Sequence, residues 1–309
     1  MNIAKFLFFV IVASLNAVLF IACSTTPVSE ISIGFAAPVK TGSIVDTALN
    51  EASGIAVSKC QPGVLWSHND SGDDAFIYAF KDTGDKLGTW KIPNAKNYDW
   101  EDIAELKDAH GKCWLYLGDI GDNKLRRDEH TIYRVAEPVI TADSAASTRR
   151  EPVIAADAEA IRFKYPDGRH DAETLMVHPR SGDIYIVTKS VSGAAVVFRL
   201  RPSATDAYLI AEKVADITVP AIPEGFVTGG DISPDGRRAT ICDYIAGYEW
   251  TLPEGDDNFD DIWKEKPVTI NIGSRSIGEA ISYSPDGNSL YTTSEGKQQP
   301  IFRIDRKVR

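Results

Sequence analysis

No basic cluster interrupts this chain of 309 residues: 33 Lys and Arg stand against 44 Asp and Glu, a net charge of −11. Nucleic acid is therefore not an expected partner, because phosphate binding needs concentrated positive charge. The acidic balance favours cations and cationic ligands, and it also serves solubility. Gly-x-Ser-x-Gly is missing, so the nucleophile-elbow hydrolases are excluded. Equally absent is a glycine-rich loop with the Lys that cradles phosphate. His110, His130, His170 and His178 are scattered, and the four cysteines fit no zinc spacing. Beyond residue 30 no long helical pattern occurs. What remains is ordinary globular composition, 43% hydrophobic and 25% charged.

The first residues are organised differently. Lys5 sits in a short n-region, and an apolar stretch runs from Phe6 to Ala22, broken only by Ser14 and Asn16. Cys23, two threonines and Pro27 follow. A positive start, an apolar core and a small residue at the cut site describe a secretory signal. Phe20-Ile21-Ala22-Cys23 resembles a bacterial lipobox, with Phe20 where Leu is usual. That resemblance implies removal of residues 1–22, lipidation of Cys23, and a lipid-anchored protein of the cell envelope. Ser24 resembles an outer-membrane sorting residue where the host has two membranes. A plain signal peptide and a retained anchor helix are the alternatives. Residues 23–30 then form a tether, and 31–309 one domain.

Within that domain short β-type runs repeat, bounded by Gly, Asp, Asn and Pro. Units begin near residues 53, 101, 173, 230 and 279. Their third runs carry a recurrent apolar–aromatic pair: Ile77-Tyr78, Ile132-Tyr133, Val197-Phe198 and Ile301-Phe302. Ser233-Pro234-Asp235-Gly236 and Ser284-Pro285-Asp286-Gly287 recur between first and second runs, where Pro presets one torsion and Gly supplies another. Four strands per unit, repeated about an axis, predict an all-β single β-propeller. Five blades are expected, with a sixth possible inside the longer second unit. The last unit lacks a fourth strand, so the segment Ile31 to Val45 is expected to supply it and close the ring, removing an exposed sheet edge.

In such a ring the starts of first strands and the ends of second strands open on one face, because antiparallel neighbours place a start beside an end. Those positions hold Glu51, Asp70, Asp73, Glu101, Asp102, Asp119, Asp122, Glu173, Asp231, Asp243, Glu279 and Glu295. Asp70-Ser71-Gly72-Asp73 and Asp119-Ile120-Gly121-Asp122 share the form Asp-x-Gly-Asp, which turns also use for local reasons. Calcium or another divalent cation takes several oxygen ligands of this kind. His68 is a candidate base or ligand, with a structural histidine as the plainer reading. Lys189, the one base among these acids, is expected to pair with Glu173. Trp66 and Trp100 read as blade packing. Cys60 and Cys113 fall on the opposite face of adjacent blades and form a candidate disulfide; Cys242 reads as a small buried residue.

The Ser-Pro-Asp-Gly turns resemble those of TolB-like propellers. Glu51-Ala-Ser-Gly-Ile-Ala, Trp66-Ser-His-Asn-Asp-Ser-Gly-Asp, Asp99-Trp-Glu-Asp-Ile-Ala, Gly118-Asp-Ile-Gly-Asp-Asn, Asp171-Ala-Glu-Thr-Leu and Gly278-Glu-Ala-Ile look like a group of bacterial exported propeller proteins. A looser similarity reaches phytase-like and esterase-like propellers, which implies calcium at an acidic central face. Their substrate-binding basic residues are matched here only by Lys189, Arg126 and Arg127. Two functions are thus expected: an acidic face that binds a divalent cation, a small-molecule ligand or an envelope protein; or a metal-dependent hydrolase of phosphoesters or esters. In the second, an Asp or His takes the proton from water.

Overall fold

The computed structural model describes residues 34–202 and 208–307. The expected signal segment 1–22, Cys23 and the tether 23–30 lie outside them. The described residues form five sheets and almost no helix. No helix among them is long and apolar enough to cross a membrane.

Blade one comprises Ala52–Val57, Leu65–Asn69, Phe76–Phe80 and Lys86–Lys91. Blade two comprises Trp100–Lys107, Cys113–Asp119, His130–Ala136 and Glu159–Lys164. Blade three is Ala172–Val177, Ile184–Thr188, Ala195–Leu200 and Glu212–Ile217. Blade four is Gly229–Ile232, Arg238–Cys242, Ala246–Thr251 and Val268–Asn271. Blade five takes Gly278–Tyr283, Ser289–Ser294 and Pro300–Asp305 from the chain's end, and Val39–Ser43 from its start.

The closing strand pairs antiparallel with Pro300–Asp305, Val39 opposite Arg303 and Ser43 opposite Pro300. A bridge between Phe35 and Arg306 extends the contact. The ring is therefore five-bladed and sealed by hydrogen bonds between the two ends of the described chain. The long second unit conceals no sixth blade. Its extra residues run back along blade one, where Val153–Ile154 adds to the outer strand in parallel, Trp90 opposite Val153. Leu209–Ile210 covers the edge of blade two in the same way. Both additions shield a row of unpaired backbone groups.

Sheets stacked on both sides explain the burial. The first strands of blades one, three and five are buried at every residue, so apolar and polar positions do not alternate there. Large side chains fill the wedges between blades, among them Trp66, Trp90, Trp100 and Trp250. The Ser-Pro-Asp-Gly turns close as their sequence requires: Gly236 and Gly287 take φ of 65° and 68°, and each N–H donates to the Ser carbonyl at 2.8 Å.

Cys60, in the first turn of blade one, and Cys113, opening the second strand of blade two, are disulfide-bonded with Cα atoms 6.1 Å apart. The bridge ties adjacent blades on one face. Reduction is expected to lower stability by about 2–5 kcal/mol, read as a lower urea midpoint for the reduced full chain. An unchanged midpoint would show that the blade interface holds without the bridge.

Candidate functional site

A local irregularity builds the channel mouth. The first strands of blades one, two, three and five each skip register at their second residue, between Ala52 and Gly54, Trp100 and Asp102, Ala172 and Thr174, and Gly278 and Ala280. The residues left over are Ser53, Glu101, Glu173 and Glu279. A bulge leaves its extra residue unpaired and re-aims it, here at equivalent places around the axis. Blade four has no such shift, and its Gly229 could carry no side chain: a Cβ there would lie 2.4 Å from the Glu279 carbonyl oxygen.

Five carboxylates converge in two groups. Asp70, Asp99 and Glu101 bring ligand oxygens within 4.8 Å of one another, and so do Glu101, Asp171 and Glu173. Glu101 belongs to both. It is 3% exposed, no backbone N–H or basic side chain among the described residues donates to it, and the Glu173 carboxyl lies within hydrogen-bond reach. Gly121 packs against this carboxylate so closely that a Cβ would come within 2.0 Å of Oε1. Asp99 likewise receives no donor. The other three each have one oxygen engaged: Asp70 Oδ1 by the Ser71 N–H, Asp171 Oδ1 by the Asp122 N–H at 2.7 Å, and Glu173 Oε1 by Lys189 Nζ at 2.9 Å. Lys189 lies 4.7 Å from the Phe226 ring centre and 5.6 Å from that of Tyr244, and the two rings meet edge-on at 5.0 Å. An aromatic wall thus stands beside the acids.

Burial and crowding raise these acids. Burial first, then the charges of Glu173, Asp70, Asp99 and Asp171, hold Glu101 well above its ordinary value of 4.5. Burial, with Asp70 and Asp171, pushes Asp99 up to about 6. Glu173 is pushed by burial up to about 7 although Lys189 opposes the shift. Glu279 is raised by burial and by Glu295 to about 9. Asp70 is raised too, chiefly by burial, then by Glu295 and Glu51.

The remaining candidates do other work. Asp102 is fully buried: Oδ2 accepts from Leu175 N of blade three at 2.9 Å and Gly230 N of blade four at 3.2 Å, while Oδ1 accepts from Ile103 N. Asp231 stitches blade four to blade five through Tyr283 N at 2.9 Å and the Ser282 hydroxyl at 2.8 Å. Both were expected at the mouth and instead bind neighbouring blades inside the ring. Asp243 closes its own loop, accepting from Ile245 N, Ala246 N and the Tyr248 hydroxyl, each at 2.6 Å. Asp122 accepts from Arg126 N and Arg127 N. Asp119 pairs with Arg127 at 2.7 Å and leaves Oδ2 buried without a partner. Asp73 is held by Asn69, Tyr78 and Arg149. Glu51 is exposed near Asp70, and Glu295 sits against Glu279.

His68 is no accessible base. It is fully buried, its Nδ1 lies 2.9 Å from the Asn69 carbonyl oxygen, and burial pushes it down to about 4. Trp66 and Trp100 are likewise sealed, with Nε1 groups bonded to Glu137 and to the Lys96 carbonyl. Cys242 is buried and free. Sequence reasoning on the candidate set passed over Asp99 and Asp171. Asp-x-Glu opens the first strand in both blades two and three, and that repeat was the signal for them. Around the mouth, the loops of the same face expose Tyr98, Leu125, Val191, Ile222, Ile245 and Ile277.

No family model matches the chain, and no curated protein does. Among solved structures, a gluconolactonase from Xanthomonas campestris is similar at 10% identity, over 87% of this chain and 89% of that one, with a TM-score of 0.47. A likeness at that level carries no argument about chemistry.

Glu101, Glu173 and Glu279 retain protons in the folded chain that the unfolded chain releases above about pH 4.5. Folded carboxyl groups raised in this way make stability fall as pH rises. In chelator-treated buffer the thermal midpoint is therefore expected to drop steadily between the ordinary Glu value of 4.5 and about 9, where Glu279 ionises. A midpoint that rises over this window would contradict the crowded-carboxyl description.

Proposed function

We propose that this propeller is a divalent-cation-binding protein whose channel mouth presents the bound ion to a second ligand. The observation that carries the reading is Glu101, a buried carboxylate with no backbone or basic donor and facing four more acids. A buried charge without a partner is costly. A hard cation such as calcium, coordinated by oxygens at about 2.3–2.6 Å, offsets that cost. The site fits such an ion on its own chemistry: every donor is a carboxylate oxygen, free oxygens remain on all five side chains, and Gly121 leaves room where a side chain would intrude. Asp70, Asp99, Glu101, Asp171 and Glu173 would hold it.

Binding is favoured over hydrolysis. The candidate histidine base is sealed in the blade interface, whereas the mouth carries the Phe226–Tyr244 wall and an apolar collar, features that serve docking. A small molecule or a protein surface is the ligand class. The signal pattern at residues 1–23 supports a setting in the cell envelope with a lipid on Cys23. Cys23→Ala is then expected to release the protein from the membrane fraction; retention there would refute lipid anchoring.

Calcium added to chelator-treated protein should raise stability by about 2.7 kcal/mol at a hundredfold excess over Kd. Glu101→Gln should abolish the rise while the variant still unfolds cooperatively. Absence of both heat and thermal shift in the wild type at millimolar calcium, magnesium, manganese or zinc would end this reading.

A further inference from the structure

We propose that the mouth holds two divalent cations, one between blades one and two and one between blades two and three, with Glu101 bridging them. The inference rests on the cation-binding reading above and specifies its stoichiometry and architecture.

The geometry supplies two triads, each within 4.8 Å, and they share only Glu101. The first joins Asp70 of the loop leaving blade one's second strand to Asp99 and Glu101 at the start of blade two. The second joins Glu101 to Asp171 and Glu173 at the start of blade three. A carboxylate has two oxygens, and no backbone N–H or basic side chain among the described residues holds either one on Glu101; its hydrogen-bond contact is with Glu173, a fellow member of the second triad, so each oxygen can serve one triad. The other members leave an oxygen to spare: a backbone N–H or Lys engages one oxygen on each of Asp70, Asp171 and Glu173, and none on Asp99.

Charge gives the same count. The two triads together carry five carboxylates, and the one cation bonded within the group is Lys189 on Glu173. Fully ionised, they leave four negative charges, which two divalent ions neutralise and one does not. Uncompensated like charges at this spacing are strongly unfavourable.

A feature outside the acids points to bound species at the same level. Ser53 is 0% exposed, and its hydroxyl has no hydrogen-bond partner. By register it is blade one's counterpart of Glu101, Glu173 and Glu279. A fully buried hydroxyl without a partner is uncommon. At this ring position a water held by the bound ions would give it the partner it lacks.

The test is calcium stoichiometry on chelator-treated full-length protein, by isothermal titration with calcium chloride alone and by metal analysis after gel filtration. Two calcium ions per chain are expected. Asp70→Asn and Asp171→Asn should each reduce the count to one, because each removes a ligand from a different triad. Glu101→Gln should weaken both sites about 100-fold or more. One ion per chain in the wild type would overturn the bridged pair while leaving the cation reading intact; none would overturn both. Loss of all binding in Asp70→Asn and in Asp171→Asn alike, with unfolding still cooperative, would indicate a single merged site and likewise overturn it. The wild-type count decides the matter even where a variant fails to fold.

Discussion

Ring closure is the constraint on which everything else here depends. A blade is a small sheet with two apolar faces and cannot hide both alone. Hydrogen bonds between Val39–Ser43 and Pro300–Asp305 make the first and last parts of the described chain one sheet. With the circle shut, every blade has neighbours on both sides, and the five first strands are held about a common axis. Only then do residues far apart in sequence, such as Glu101 and Glu173, approach one another. The bulge at the second residue of four of those strands uses the closed geometry to aim side chains at one opening.

Aspartate and glutamate serve two opposite purposes in this molecule. Asp102 and Asp231 sit among backbone N–H groups of adjacent blades and act as inter-blade stitches. Their negative charge is met by oriented donors, as at a helix cap. Glu101 is about as buried and meets only other carboxyl groups. The contrast separates structure from function more sharply than burial does. An acid surrounded by N–H groups contributes to the fold, and an acid facing other acids is incomplete without something positive.

Much of the architecture was legible in the sequence because its signals are local. Turns such as Ser233-Pro234-Asp235-Gly236 mark strand ends, and the unit starts inferred from the repeats fall within two residues of Ala52, Trp100, Ala172, Gly229 and Gly278. The missing fourth strand of the last unit pointed to the chain's beginning. The site was legible as a face but not as a set. A one-residue bulge decides whether Glu101 or its neighbour Asp102 points at the mouth, and nothing in the residue types announces it. The role of Asp102 depends on N–H groups of Leu175 and Gly230, whose placement is a property of the assembled ring. His68 looked available from its position after the second strand, yet the packing of Trp100 against it, with ring centres 5.6 Å apart, seals it.

Phe35 pairs with Arg306, and Ala36 N donates to the Asp305 carbonyl oxygen at 2.7 Å, so both described ends leave together at the foot of blade five's third strand. That strand runs from the mouth toward the far side, which puts both exits on the floor of the ring. A fluorophore attached at residue 34 or 307 therefore sits beneath the ring. Held to a surface through residue 307, the ring keeps its opening turned outward, accessible to whatever flows past.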